Sequence, residues 1–410
     1  MRSKKPRTVT MAALLLAVLL LVSVPLSAFA ETTPATRIVA LGDSITAGYE
    51  PDLEAGVSYY GYVDRVYEQA LFRGRASVAN YGVVGLTSTG LNKLLQAVVA
   101  GTEVKGADIQ SDLEALKDQT LPVAQIKTDL KAATHVTLTI GLNDIGTDIV
   151  ERYRELNTDE KLKAFADEKL KTYGDNLQAA LKSVYAVNPK VKVVIADQYF
   201  PIPPVLAALA ARLQPIKASM DTILQTTVKS FADQQYAIQI APVAAQFVGK
   251  EGNYTHISVL DVNPTQAGYA AIAEQFAKTI WGDYKTVTRV EGLITVVVGG
   301  RTLDTPFLPT LINDSTFVPL REYTEALGAN VEWVGATNTA VIKLGGNQVE
   351  LTIDSNVMKI NGTTKTIQDL PLFYEIAGET KTYVPLRLMV EGLGLDVQYA
   401  GGSHTAYINK

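Results

Sequence analysis

Between residues 37 and 282, short apolar runs alternate with helix-like stretches, and this alternation restricts the fold more than any other feature. Residues 37–42 (RIVALG), 76–82 (ASVANYG), 135–141 (HVTLTIG), 192–200 (KVVIADQYF) and 236–242 (YAIQIAP) are short, rich in β-branched residues, and end in Gly, Pro or polar residues. They read as buried strands. Residues 158–187 and 205–233 repeat apolar positions at steps of three and four, and read as helices. Residues 265–282 (TQAGYAAIAEQFAKTIWG) read as a closing helix with Gly282 as its stop. Strand and helix in strict turn predict an α/β fold, a parallel sheet covered by helices on both faces.

After Gly282 the texture changes. A polar bridge, DYKTVTR, leads into strand-rich sequence that contains a repeat: FVPLREYTEALGANVEW (317–333) returns as YVPLRLMVEGLGLDVQY (383–399). Each copy reads as a strand, a short helix, a stop at Gly328 or Gly394, and a strand pair. One copy alone buries too little surface, so the two are expected to share a core in a small α+β tandem-repeat domain. The expected organisation is a leader at 1–30, a first domain at 31–283, a linker at 284–293 and a repeat domain at 294–410.

The leader has the order of a secretory signal peptide: basic Arg2, Lys4, Lys5 and Arg7, an apolar run from Met11 to about Val24, then SAFA before Glu31. The apolar run is short for a spanning helix, which needs about 20 residues. Cleavage is expected, with no membrane span afterwards and a secreted or cell-surface location. The chain has no cysteine, which excludes disulfides, a lipoprotein anchor and any thiolate metal site. Its net charge of −5 becomes −9 without the four basic leader residues. That balance offers no basic footprint for nucleic acid.

Chemistry gathers at the expected carboxyl ends of the strands. In LGDSITAGY, Ser44 follows a strand and precedes a helix, the place where a nucleophile belongs in a parallel sheet. The plainer reading is that Asp43 or Ser44 caps the helix. Two more stretches end strands on the same side: NYGVVG with Gly85, and GLND with Asn143. A backbone N–H at Gly85 and the Asn143 amide are donor types that an oxyanion hole requires.

These blocks, GDSITAGY, NYGVVG, GLND and the later DVNPTQAGY, resemble the SGNH (GDSL-type) hydrolases, the lysophospholipase and acetyl-esterase group, from Arg37 to about Gly282. The resemblance implies a flavodoxin-like three-layer α/β/α sandwich. It also implies Ser44 as nucleophile, with the Ser44 N–H, the Gly85 N–H and Asn143 as oxyanion hole. An esterase or lipase-like activity through an acyl-enzyme on a small-molecule carboxylic ester follows, without a cofactor.

The last block departs from the pattern. The family has Asp three residues before a His that Pro follows. Here Pro264 sets the register, Asn263 stands at the histidine position and Leu260 at the acid position, with Asp261 one step later. A carboxamide is no base near neutral pH, and a positioned base is worth about 10²–10⁴ in rate. The chain has three histidines. His135 opens a core strand, His404 lies in the repeat domain, and His256, seven residues before Asn263, is the candidate base. Asp261 is a possible acid, and acting directly on Ser44 it would be a weak base. The alternative to an active enzyme is an impaired SGNH-fold surface protein that binds a ligand or cell-wall component.

The repeat unit resembles the copper amine oxidase N-terminal-like (stalk) domain, whose hallmark is tandem VPLR units. It holds His404, Met358, Met389 and no cysteine, too few ligands for copper or zinc, so no metal is expected. Arg321 with Glu325, and Arg387 with Glu391, are spaced to pair along each short helix. A structural spacer with a possible cell-wall or surface contact is the expected role.

Overall fold

The computed structural model describes residues 35–51, 59–152, 154–202, 207–287, 292–303 and 305–410. The expected leader lies outside the described residues, as do 288–291 of the expected linker. No described helix is long and apolar enough to cross a membrane.

In the first region the order is β1 (Thr36–Gly42), α1 (Ser44–Ala47), α2 (Tyr62–Leu71), β2 (Ala76–Gly82), α3 (Ser88–Ala100), α4 (Gly106–Ile109), α5 (Val123–Ala132), β3 (His135–Thr139), α6 (Leu142–Arg152), α7 (Asp159–Val187), β4 (Lys192–Ala196), α8 (Ala207–Asp233), β5 (Ile238–Ala241), α9 (Ala244–Phe247), α10 (Glu251–Tyr254) and α11 (Gln266–Trp281). The five strands form one parallel sheet in the order β2-β1-β3-β4-β5. This is the flavodoxin-like order, whose crevice opens where the winding reverses, between β1 and β3.

Alternation along the strands feeds two cores. Val39, Leu41, Val193 and Ile195 pack into the core under α3, α7 and α8. Ile38, Ala40, Val194 and Ala196 face the opposite core, with α2 and α11. Side chains on a strand point to opposite faces by turns, so near-continuous apolar runs are what a sheet buried on both sides requires. The closing helix ends as expected, with Gly282 left-handed at φ 86°.

The second region contains β6 (Thr295–Val298), β7 (Arg301–Thr302), β8 (Thr310–Ile312), β9 (Ser315–Pro319), α12 (Leu320–Leu327), β10 (Asn330–Val334), β11 (Thr339–Leu344), β12 (Asn347–Thr352), β13 (Val357–Ile360), β14 (Thr363–Thr366), β15 (Leu372–Ile376), β16 (Glu379–Pro385), α13 (Leu386–Gly392), β17 (Asp396–Ala400) and β18 (Thr405–Asn409). The repeat is visible in space. Strands β9 and β16 pair antiparallel with Val318 opposite Val384, Phe317 opposite Pro385 and Tyr383 opposite Pro319. Val318 and Val384 are equivalent positions of the two copies, so a local two-fold passes between them, and both copies fill one core.

The region is richer in strands than an α+β reading implies: three small sheets carry only two described α-helices. The additional strands come from two-residue hairpins. Asn313-Asp314, Asn361-Gly362 and Ala377-Gly378 each place two successive residues at positive φ, the backbone of a tight hairpin turn. Of the two expected helix pairs, Arg387–Glu391 forms at 3.1 Å, whereas Arg321 and Glu325 do not meet.

The two regions share a core within one compact unit. Val297 and Tyr407 insert among the side chains of α2 and α11. The Tyr407 ring stands edge-on to Phe72 at 5.1 Å, and its hydroxyl lies 3.4 Å from the buried Glu68 carboxylate. Asn409 donates to the Leu71 carbonyl at 3.0 Å. A Cβ added to Gly402 would lie 2.2 Å from the Tyr60 ring, so only glycine allows that approach. Gln69 on α2 exchanges two hydrogen bonds with the Lys285 backbone, which ties the start of the connecting segment to the first region.

Candidate active site

The serine turn is built from beneath. A Cβ on Gly42 would lie 2.1 Å from the Thr139 carbonyl oxygen, so glycine is needed where β1 passes β3. Asp43 then caps α1: its Oδ1 accepts from Ile45 N at 3.1 Å and from Thr139 Oγ1 at 2.8 Å. Thr46 Oγ1 donates to the Leu41 carbonyl (3.0 Å) and lies 2.7 Å from Thr139 Oγ1 and 3.1 Å from Tyr62 Oη. Tyr62 in turn donates to Thr137. The helix-cap role therefore falls to Asp43, and Ser44 Oγ hydrogen-bonds to no described residue. Asp43 is 1% exposed with Oδ2 unpartnered. Burial pushes its carboxyl up to about 7, against the Thr139 and Ile45 bonds that favour the charged form.

Donors converge beside the serine. Gly85 sits at φ 81° in the turn after β2. The backbone N–H groups of Ser44 and Gly85 donate to no described residue. The Asn143 amide donates to the Leu86 carbonyl at 2.9 Å, which holds it against the turn that carries Gly85. Asn80 donates to the Thr46 carbonyl at 2.8 Å and fixes β2 to the serine turn. Asp144 accepts from the Ser88 N–H and hydroxyl at the start of α3, a scaffold role. A cleft of about 980 Å³ opens here, lined among others by Ala47, Gly85, Leu113, Asn143 and Lys169.

The opposite wall is the loop before α11. Thr255 and Pro264 form an antiparallel bridge, and His256 N donates to the Asn263 carbonyl at 3.0 Å. Tyr199 donates to the Val262 carbonyl at 3.1 Å and pins the loop to the end of β4. Leu260, at the family's acid position, is left-handed at φ 65° and 67% exposed. Asp261 takes over the contact: its Oδ1 accepts from Asn263 N at 2.7 Å and from Asn263 Nδ2 at 2.8 Å. Asn263 Oδ1 is buried without a partner among the described residues. His256 turns to Glu50, with Nε2 3.4 Å from Glu50 Oε2.

The GDSL-like Lipase/Acylhydrolase family model matches residues 40–271, more than half of the chain. The chain belongs to that family. Its class of chemistry is the hydrolysis of ester bonds. Residues 297–408 match the copper amine oxidase N-terminal domain. No curated protein matches the chain. Among solved structures it is similar to a lipase from a goat rumen metagenome, at 19% identity over 59% of this chain and 95% of that one, with a TM-score of 0.41. It is similar to a lipase/acylhydrolase from Enterococcus faecalis at 17% identity, covering 62% and 100%, with a TM-score of 0.37. An acetylxylan esterase from Geobacillus stearothermophilus is similar at 18% identity, covering 62% and 98%, with a TM-score of 0.37.

The remaining histidines stand apart from this GDSL-like site. His135 is at the amino end of β3, opposite Lys192, and its Nδ1 lies 2.9 Å from Thr134 Oγ1. Burial first, and Lys192 second, lower its pKa to about 4. His404 Nδ1 lies 3.2 Å from Tyr399 Oη. Met358 and Met389 are buried in the repeat core. These three side chains do not fit a copper centre, because thioethers sunk in an apolar core present no open ligand set.

Sequence reading missed the layer beneath the nucleophile: Thr46, Tyr62, Thr137 and Thr139. It also missed Glu50 and Gln266. Thr46 and Glu50 lie within or beside the serine block, which was a signal of position without a signal of role. Gln266 bonds to Glu50 across 216 residues, and nothing local announces such a contact.

Proposed function

We propose that this chain is an exported serine ester hydrolase that attacks a small carboxylic ester with Ser44 and passes through an acyl-enzyme. The observation that supports it is the pair of backbone N–H groups, Ser44 and Gly85, that donate to no described residue beside the Asn143 amide. Donors that stand ready before substrate arrives suit the oxygen of a tetrahedral intermediate. Ser44 Oγ bonds to the ester carbonyl carbon, the leaving alcohol departs with a proton, and water then releases the acid from Ser44. Family membership supplies the class of chemistry, and the basic, apolar and small-residue order of residues 1–30 supports export. The repeat region serves as a surface spacer that adds Val297 and Tyr407 to one core of the hydrolase.

The test is Ser44-dependent turnover of nitrophenyl acetate, with intact mass after exposure to a fluorophosphonate probe. The wild type should gain one probe mass, and Ser44→Ala should gain none and lose turnover by about 10³ or more. Equal rates in the two proteins would remove Ser44 from the chemistry. One observation favours a second reading, a crevice that binds without turnover: among the described residues no base is hydrogen-bonded to Ser44 Oγ, and the side chain at the family's histidine position is an amide held by Asp261. Unlabelled wild-type protein would select that reading.

A further inference from the structure

We propose that Glu50 and His256 form the carboxylate–imidazole couple that serves Ser44, in place of the family pair whose histidine position Asn263 fills. The proposal rests on the reading that Ser44 attacks an ester.

The loop geometry brings the imidazole to the right neighbourhood. His256 and Asn263 are seven residues apart in sequence, yet the His256 N–H meets the Asn263 carbonyl at 3.0 Å. The imidazole therefore grows from the backbone position that faces the substituted one. Asp261, five residues further along the same loop, is engaged by Asn263 through two hydrogen bonds. A different carboxylate answers the imidazole. Glu50 Oε2 lies 3.4 Å from His256 Nε2, and that nitrogen is buried with no hydrogen bond. The Glu50 side chain is 13% exposed.

Glu50 is fixed from both sides of the crevice. It follows the serine turn directly, where Tyr49 N donates to the Ser44 carbonyl at 3.0 Å. The buried Tyr269 on α11 donates to the Tyr49 carbonyl at 2.6 Å. Glu50 Oε1 accepts from the Gln266 amide, which also donates to the Tyr60 carbonyl at 3.1 Å. Gln266 Oε1 accepts from Arg65 at 2.7 Å. Gln266 is the first residue of α11, so the carboxylate is tied to that helix through a side-chain amide. A carboxylate held this firmly can fix one tautomer of a neighbouring imidazole, as the acid of a triad does.

Glu50 stands on the Nε2 side of the ring at 3.4 Å, so the other nitrogen, Nδ1, is the one that accepts the serine proton. It hydrogen-bonds to no described residue. Ser44 Oγ gives its proton to Nδ1 as Oγ bonds to the carbonyl carbon and the π pair moves to the carbonyl oxygen. The imidazolium, facing Glu50, returns that proton to the alcohol oxygen as the C–O bond breaks. Water repeats both transfers and releases the acid. The bond from Ser44 Oγ to Nδ1 closes with substrate in place, since catalytic hydrogen bonds often tighten only in the complex. Glu50 is thus a positioning residue and His256 the catalytic one.

The experiment measures kcat and KM for the full chain and for Ser44→Ala, His256→Ala, Glu50→Gln and Glu50→Asp, alongside a two-bond ¹H–¹⁵N spectrum that reports the imidazole tautomers. The charged groups tied to this ring are Glu50, Asp261 on its own loop and Arg65 behind Gln266. His256→Ala should lower kcat by about 10²–10⁴ with little change in KM. Glu50→Gln, which keeps an acceptor for Gln266, should lower kcat by about 10–10². It should also shift the neutral His256 ring away from the Nε2–H tautomer in that spectrum, because the carboxylate beside that nitrogen is gone. Glu50→Asp should recover part of both effects. Turnover that needs Ser44 but survives His256→Ala within threefold overturns the couple alone, as does a His256 tautomer unmoved by Glu50→Gln. Absence of Ser44-dependent turnover in the wild type overturns the reading of Ser44 and the couple with it.

Discussion

The turn that carries Ser44 and the loop that carries Asn263 close the same end of one sheet, but they treat their buried polar groups differently. Under the serine, Asp43 Oδ1, Thr46, Tyr62, Thr137 and Thr139 form a connected network, and Asp43 Oδ2 is the one atom of that set left unpartnered. In the loop, the two side chains closest to the expected base chemistry each keep a buried atom without a hydrogen bond, Asn263 Oδ1 and His256 Nε2. Buried polar atoms are nearly always satisfied, so an orphan marks a place where a partner or a proton is still to come. The nucleophile side is finished apart from that one atom, whereas on the base side both key side chains keep an atom that lacks a hydrogen-bond partner among the described residues.

The largest expected effect tests whether the loop can hold an imidazole at either of two positions. His256→Ala should cost about 10²–10⁴ in kcat/KM, and adding Asn263→His should restore most of it. Asp261 Oδ1 already accepts from the Asn263 side chain at 2.8 Å, so a new imidazole would meet a carboxylate in place. In the wild-type background the same Asn263→His change should alter kcat/KM by less than about tenfold, since His256 already serves. Failure of the double variant to recover, with an unchanged melting temperature, would break the comparison by showing that the loop no longer fits the family's base.

Much of this site was legible in the sequence because its logic is local. Gly42, Asp43 and Ser44 occupy three consecutive positions whose backbone and capping needs are steric, and Gly85 and Asn143 follow other strands at the same level of the sheet. Strand and helix alternation gave the sheet and the place of its crevice for the same reason. What stayed hidden depends on distance along the chain. Thr46 meets Thr139 across 93 residues, and the partner of His256 is a glutamate beside the nucleophile rather than the aspartate on its own loop. The strand-rich character of the second region was read from its sequence, but the hairpin at Asn361-Gly362, a recognisable turn signal, was not placed, because it lies between the repeat copies.

A smaller effect probes the one orphan on the finished side. The Asp43 carboxyl is raised from 3.8 to about 7, so between those values the folded protein holds a proton that the unfolded chain has released. Its contribution to stability therefore falls as pH rises through that window, by on the order of 1.4 kcal/mol per pH unit. His135, lowered to about 4, acts in the opposite sense below about 6.5, because there the unfolded chain binds the extra proton. The clean measure is a difference: stability of the wild type relative to Asp43→Asn, from denaturant titrations at pH 4 to 8. It should decline with pH and level off above about 7. A flat difference would mean that the carboxyl is ionised in place, and that the serine turn contains no strained group.

The smallest effects separate the two regions most sharply, because they ask what each polar side chain contributes to folding alone. Thr46 Oγ1 has three partners, Leu41 O, Tyr62 Oη and Thr139 Oγ1. Thr46→Val keeps the shape but leaves buried groups unpaired, and should cost about 2–3 kcal/mol. Asn263→Leu removes a bond to Asp261, worth about 1 kcal/mol, and also removes an oxygen whose unsatisfied burial costs about 1–3 kcal/mol. Asp261 keeps its backbone bond from residue 263 at 2.7 Å. These terms oppose one another, and the net change should stay within about 1 kcal/mol. If Asn263→Leu proved as costly as Thr46→Val in the same titration, the amide would be a structural member of the loop. It would then no longer be a side chain standing where an imidazole is expected, and the contrast between the two walls of the crevice would lose its basis.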